Sequence, residues 1–129
     1  MMTAWLKRGS DPQALQVLSK DMPLEALRYI VLDTELTSLD HRTNRLLSIG
    51  AIAMQGSSIQ LGQQFYRVVN PQVSIPAEGI VIHKLRSEDV QNADDPGKTL
   101  DDLRSFIAGA VLVGHLPRSI WRFCARKCP

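Results

Sequence analysis

Two carboxylates one residue apart, Asp33 and Glu35, follow directly on three apolar residues, Ile30, Val31 and Leu32. Residues 28–33 form a short run of strand-forming types, so they predict a buried β-strand. In a strand, side chains at i and i+2 point to the same face. The strand therefore delivers both acids side by side at its end. Like charges held that close repel, and a divalent cation removes the cost. Hard oxygen ligands suit Mg²⁺ or Mn²⁺. The chemistry expected is half of a metal site, with Asp33 and Glu35 as its catalytic and metal-ligating residues.

The elements that must position this pair follow from the apolar pattern. Residues 37–44 are polar and turn-like. Residues 46–54 predict a second strand, residues 55–57 a turn, and residues 58–69 a third strand interrupted at Gly62. Connections this short favour a three-stranded antiparallel meander. Pro71 and Pro76 mark an irregular stretch. Ser87 is placed as the cap of a short helix, and residues 94–97 as a loop. Leu100, Leu103, Phe106 and Ile107 have the spacing of a buried helix face over 99–108. Residues 111–113 predict a fourth strand. Ahead of all this, residues 10–20 predict a helix capped by Ser10 or Asp11, with Pro12 in its first turn. Strands, helices and a further strand make an α/β layout with a mixed sheet.

Residues 29–40 read Tyr-Ile-Val-Leu-Asp-Thr-Glu-Leu-Thr-Ser-Leu-Asp. This stretch resembles the first exonuclease motif of the DnaQ-like (DEDD) 3′–5′ exonucleases, the group of the polymerase III epsilon subunit and ribonuclease T. In that motif a strand leads into Asp-x-Glu, Thr, Gly and Leu. Here Ser38 stands where Gly is usual, and Leu36 where Thr is common. The resemblance continues through Arg45-Leu46-Leu47-Ser48-Ile49-Gly50-Ala51-Ile52, where the family usually has Ile-Ile-Glu-Ile-Gly-Ala. It extends to Asn70-Pro71 with Ile75-Pro76, to Ile82-His83-Lys84-Leu85, and to Leu112-Val113-Gly114-His115. It implies a ribonuclease H-like fold: the three-stranded meander plus a parallel strand, incomplete at the C-terminus. It also implies hydrolysis of phosphodiester bonds at the 3′ end of single-stranded DNA or RNA. Two Mg²⁺ or Mn²⁺ ions ~3.5–4 Å apart serve that chemistry. The implied substrate-binding residues are Thr34, Leu36, Thr37, His83 and His115, and a DNA polymerase subunit is the implied partner.

The family holds its ions with four carboxylates, and Asp33 and Glu35 supply two. The second motif should continue beyond His115 into a helix with Phe-Asp. This chain reads Leu116-Pro117-Arg118-Ser119-Ile120-Trp121 instead, and no acid follows Asp102. Residues 116–129 carry Arg118, Arg122, Arg126, Lys127 and both cysteines, Cys124 and Cys128. Removing four positive charges from a net +2 leaves −2, so the tail alone makes the chain basic. With suitably chosen codons for residues 118–129, the adjacent reading frame spells Phe-Asp-Leu-Ala-Ile-Leu-Arg-Glu-Glu-Met-Pro. A frameshift accounts at once for the basic bias, the cysteines and the missing acid. The expectation is a domain impaired in catalysis, with a non-catalytic nucleic-acid- or polymerase-binding remnant as the alternative. An uncovered sheet that invites aggregation is a third possibility.

The division expected is an N-terminal helical extension over 1–27, an exonuclease-like domain over 28–115 and an atypical basic tail over 116–129. The 129 residues suffice for one domain. Hydrophobic and charged fractions of 44% and 22% are those of a globular chain. No apolar run reaches the ~20 residues needed to span a bilayer, and the N-terminus lacks a signal-peptide pattern, so a cytoplasmic protein is expected. Cys124 and Cys128 have no second Cys/His pair for zinc. His41 lies in a polar loop, and no phosphate-binding glycine fingerprint is present.

Overall fold

A computed structural model describes residues 22–40 and 42–114. The helix expected over 10–20, His41, His115 and the basic tail lie outside the described residues. A single 3-10 turn, Leu24–Ala26, leads into the first strand. Strands β1 (Arg28–Leu36), β2 (Leu46–Gln55) and β3 (Ser58–Val68) form the antiparallel meander. Helices α1 (Ala77–His83), α2 (Ser87–Val90) and α3 (Pro96–Ile107) follow, and then β4 (Val111–Val113). The sheet order is β3-β2-β1-β4, with β4 parallel to β1. The mixed sheet is as expected.

Strand alternation divides β1 between two faces. Ile30 and Leu32 are buried on one face with Ile49, Ala51, Ala53 and Phe65. Helix α3 covers that face through Leu100 and Leu103. Its start is set by Asp95, whose carboxylate accepts the Gly97 and Lys98 N–H groups at 2.7 and 3.1 Å, with Pro96 in the first turn. The helix thus begins within the stretch 94–97 that the turn-forming residues had marked as a loop. The Phe65 and Phe106 rings meet at 5.7 Å, and the Arg28 guanidinium lies 5.5 Å over Phe106 while donating to its carbonyl.

A smaller cluster on the other face contains Leu47, Ile75 and Val90, with Val68, Ile80 and Leu85 packed against it. It depends on a bulge. Glu35 pairs with Ser48 and Leu36 with Leu46, which leaves Leu47 as an extra residue. The bulge sends Leu46 to the α3 core and Leu47 to the opposite cluster.

Two local expectations are corrected. The stretch after Pro76 is helical, not irregular. Gly79 and the β-branched Ile80, Val81 and Ile82 weigh against a helix by propensity, but tertiary packing overrides them. Ile80 docks on the second cluster, and a Cβ at Gly79 would meet the Thr37 carbonyl at 3.3 Å. Ser87 is the first residue of α2 and not its cap. The Arg86 N–H donates to the Asp89 carboxylate at 2.7 Å, which fixes the start one residue earlier. The interruption expected in β3 is real: the pairing slips opposite Ile52/Ala53, in the stretch that contains Gly62.

Leu103 is fully buried where α3 meets the sheet. Leu103→Ala is expected to lower stability by ~2–5 kcal/mol. Urea unfolding checks this: the midpoint falls while the slope stays unchanged.

Candidate metal-binding and active site

The pairing of β1 with β2 sets Asp33 opposite Gly50 and Glu35 opposite Ser48. Both acids lie on the face away from α3 and line one pocket of about 220 Å³. Thr34, between them, is in the same wall. Ser48 and Gly50 of β2 and Tyr66 of β3 extend the floor, and His83 and Leu85 close the far side. Asp33 is exposed and Glu35 half-buried. Among the described residues neither carboxylate makes an ion pair or a side-chain hydrogen bond. Two carboxylates that share a slot without partners among the described residues are candidate ligands for a cation.

The donor set fits one hard divalent ion. Mg²⁺ is usually held by one or two carboxylates and keeps several waters or takes substrate phosphate oxygens. Among the described residues no third His, Cys, Asp or Glu joins the pair. The pocket is also smaller than the ~300–1,000 Å³ typical of small-molecule sites.

The far wall is built by local bonds. The Leu85 N–H donates to His83 Nδ1 at 3.1 Å. A neutral ring accepting at Nδ1 carries its proton on Nε2. That atom is buried without a partner, and a Cβ at Gly79 would lie 3.0 Å from it. His83 thus lines the pocket with Nδ1 accepting from Leu85 and Nε2 buried beside Gly79. Lys84 adopts a left-handed conformation, φ 63°, and its N–H closes α1 on the Ile80 carbonyl.

Leu36 and Thr37, also expected to bind substrate, stand elsewhere. Leu36 packs against the α3 core. Thr37 is buried and closes the β1–β2 loop: the Arg45 N–H donates to its hydroxyl, and its own N–H donates to the Arg45 carbonyl, both at 2.9 Å. Neither is in the pocket wall. Just past β4, a Cβ at Gly114 would lie 2.6 Å from the Leu32 carbonyl. The chain thus needs glycine to pass β1 beside Asp33. Ser48, Gly50, Tyr66 and Leu85 were not singled out from the sequence. The β1–β2–β3 register identifies the first three, since each sits on the Asp33 face.

The RNase T exonuclease family model matches residues 30–128. The chain belongs to this exonuclease family. The match runs beyond Gly114 through most of the basic tail, where the motif-by-motif resemblance had stopped. A DNA polymerase III subunit epsilon of Rickettsia conorii is 34% identical over 93 residues, covering 71% of this chain and 40% of that protein. A PolC-type DNA polymerase III of Thermotoga maritima is 25% identical over 120 residues, covering 93% of this chain and 9% of that protein. The chain thus spans less than half the length of these curated relatives. Among solved structures, E. coli exonuclease I in complex with a dA16 oligonucleotide superposes with TM-score 0.66 at 10% identity, covering 78% of this chain and 23% of that one. Cell-death related nuclease 4 gives 0.66 at 13% identity, covering 77% and 39%. The shared architecture is the ribonuclease H-like fold.

If the pair exists to hold a cation, each acid is a liability without one. In metal-free buffer, Asp33→Asn and Glu35→Gln are expected to leave the thermal midpoint unchanged or raise it. In a Mn²⁺ titration by calorimetry, either variant is expected to weaken binding by more than tenfold, the least that loss of an outer-shell partner costs.

Proposed function

We propose that this chain is a 3′–5′ exonuclease domain that hydrolyses the terminal phosphodiester bond of a single-stranded nucleic acid. The reading is carried by Asp33 and Glu35, two unpaired carboxylates in one slot at the end of the strand that bears the family's first motif. They would hold Mg²⁺ or Mn²⁺. When bound, a divalent ion supplies charge stabilisation for the attacking and leaving oxygens of phosphodiester hydrolysis. The chain's own residues orient the strand end. The slot admits a terminus, and the His83–Leu85 wall limits how far it enters. His83 and Thr34 are proposed as substrate contacts within the slot, and His115 as one beyond Gly114.

The names of the polymerase III relatives favour a replicative polymerase subunit as partner and DNA as substrate, in the cytoplasm. No helix among the described residues is long and apolar enough to cross a membrane. Catalysis is proposed to be impaired, because residues 116–129, where the second motif's ligand belongs, contain no acid. The same observation favours the second reading, a domain that binds a strand or a polymerase without cutting.

A 5′-labelled single-stranded oligonucleotide with Mn²⁺ separates the two. A version with the adjacent frame restored from residue 118 and continued through the family's third motif, which supplies the last carboxylate and the general base, is expected to shorten it stepwise from the 3′ end, and chelation of the metal to stop it. Asp33→Ala should lower that rate at least about 100-fold, the several kcal/mol such a metal contributes. The chain with its present tail is expected to cut at least tenfold more slowly. Equal cleavage with and without Asp33 removes the catalytic assignment. Binding without cleavage in both versions establishes the second reading. The coding nucleotides decide the frameshift directly: if no adjacent frame spells an acid-bearing helix, that part falls.

A further inference from the structure

We infer that Tyr66 is a stacking platform for the base at the 3′ end of a bound strand. The inference rests on the exonuclease reading and adds to it a residue that sets where the terminal base lies. Tyr66 stands on β3, at the edge of the sheet, and shares a face with Asp33 across one register line: Asp33 opposite Gly50, Gly50 opposite Tyr66. Two strand spacings put its backbone roughly 10 Å from that of Asp33. A nucleotide with its phosphate at the carboxylates can bridge that span.

The floor between the two is bare. Gly50 has no side chain, and a Cβ there would lie 3.8 Å from Tyr66 Cδ2. The ring therefore rests against backbone, at the rim of the pocket it helps to line. It is 60% exposed. Among the described residues its hydroxyl has no hydrogen bond and its ring no aromatic or cationic neighbour. Its neighbours in the fold contrast with it. Tyr29 donates its hydroxyl to the Leu24 carbonyl. Phe65, next in sequence, is buried, with Phe106 at 5.7 Å and the Arg67 guanidinium at 5.1 Å. Tyr66 is the aromatic ring of the carboxylate pocket, and its surface is left open. Every base has a π-face, so such a ring holds any terminal base with little sequence preference.

A competing role is purely structural, an aromatic covering a glycine on the neighbouring strand. Three substitutions separate the roles. Tyr66→Phe keeps both cover and π-face, Tyr66→Leu keeps only apolar cover, and Tyr66→Trp enlarges the π-face. The measurement is fluorescence anisotropy of a 5′-fluorescein decathymidylate with the full chain, in Ca²⁺ so that the strand stays uncut. Tyr66→Phe is expected to bind within twofold of the parent, Tyr66→Trp at least as tightly, and Tyr66→Leu roughly tenfold more weakly. The gap between parent and Tyr66→Leu should close when the 3′-terminal thymine is replaced by an abasic sugar. Tyr66→Leu binding like the parent overturns the inference and leaves the exonuclease reading standing. So does a tenfold loss that persists on the abasic end. A parent chain that does not bind the decathymidylate overturns both.

Discussion

The register of β1 against β2 is the constraint on which the site depends. Side chains alternate with a period of two, so a slip by one residue would move Asp33 and Glu35 onto the face that packs α3. Two carboxylates would then enter the α3-facing side at the positions of Leu32 and Thr34, or of Thr34 and Leu36. Burying unpaired charge costs far more than any local preference of the strand. The core of Ile30, Leu32, Ile49 and Leu103 thus does two things at once. It stabilises the sheet by burial, at about 1.5–3 kcal/mol for each such side chain. It also forces the two acids out on the opposite side, where no side chain among the described residues pairs with them.

That opposite side is built more lightly. Among the described residues its cluster has three buried members, Leu47, Ile75 and Val90, against ten in the α3 core. The wall carrying His83 and Leu85 hangs on this small cluster and on the bulge that supplies Leu47. Regions with few buried apolar contacts open at lower free energy than the global unfolding. The carboxylates therefore sit on the rigid half of the molecule, on a central strand. The wall that a strand end would pass on the proposed reading sits on the yielding half. This division would suit a site that holds an ion rigidly and admits a chain terminus.

Strands and acids are legible in the sequence because both follow from local pattern. Arg28–Leu36, Leu46–Gln55 and Val111–Val113 are apolar, strand-forming runs bounded by turns, and Asp-x-Glu at a strand end fixes its own geometry. What escapes is what tertiary contact decides. Helix α1 is built from Gly79 and β-branched residues whose propensities oppose it, and it exists because Ile80 finds a cluster and Gly79 finds room beside Thr37. Thr37 follows the motif closely, yet the structure uses it to close a loop. Tyr66 lies 33 residues after Asp33 in the chain, and only the pairing through Gly50 joins them. Asp95 could have been found, since an acid directly before Pro is a helix-start signal. The turn-like composition of residues 94–97 masked it.

Ser48 bears on how much charge the site can hold. It is buried, faces the pocket opposite Glu35, and occupies the position where the family resemblance places a glutamate. A third acid there would give the slot three negative charges and still sharper repulsion in the absence of metal. With serine the described acids carry two, which one divalent ion neutralises. A second ion needs counter-charge from elsewhere, and the phosphates of a strand end are its nearest source on the proposed reading. On the proposed reading, serine would make the site less dependent on metal for its stability and more dependent on substrate for a full complement of ions. The carboxylate pair and its serine neighbour would then suit one ion at rest, with a second tied to the presence of a strand.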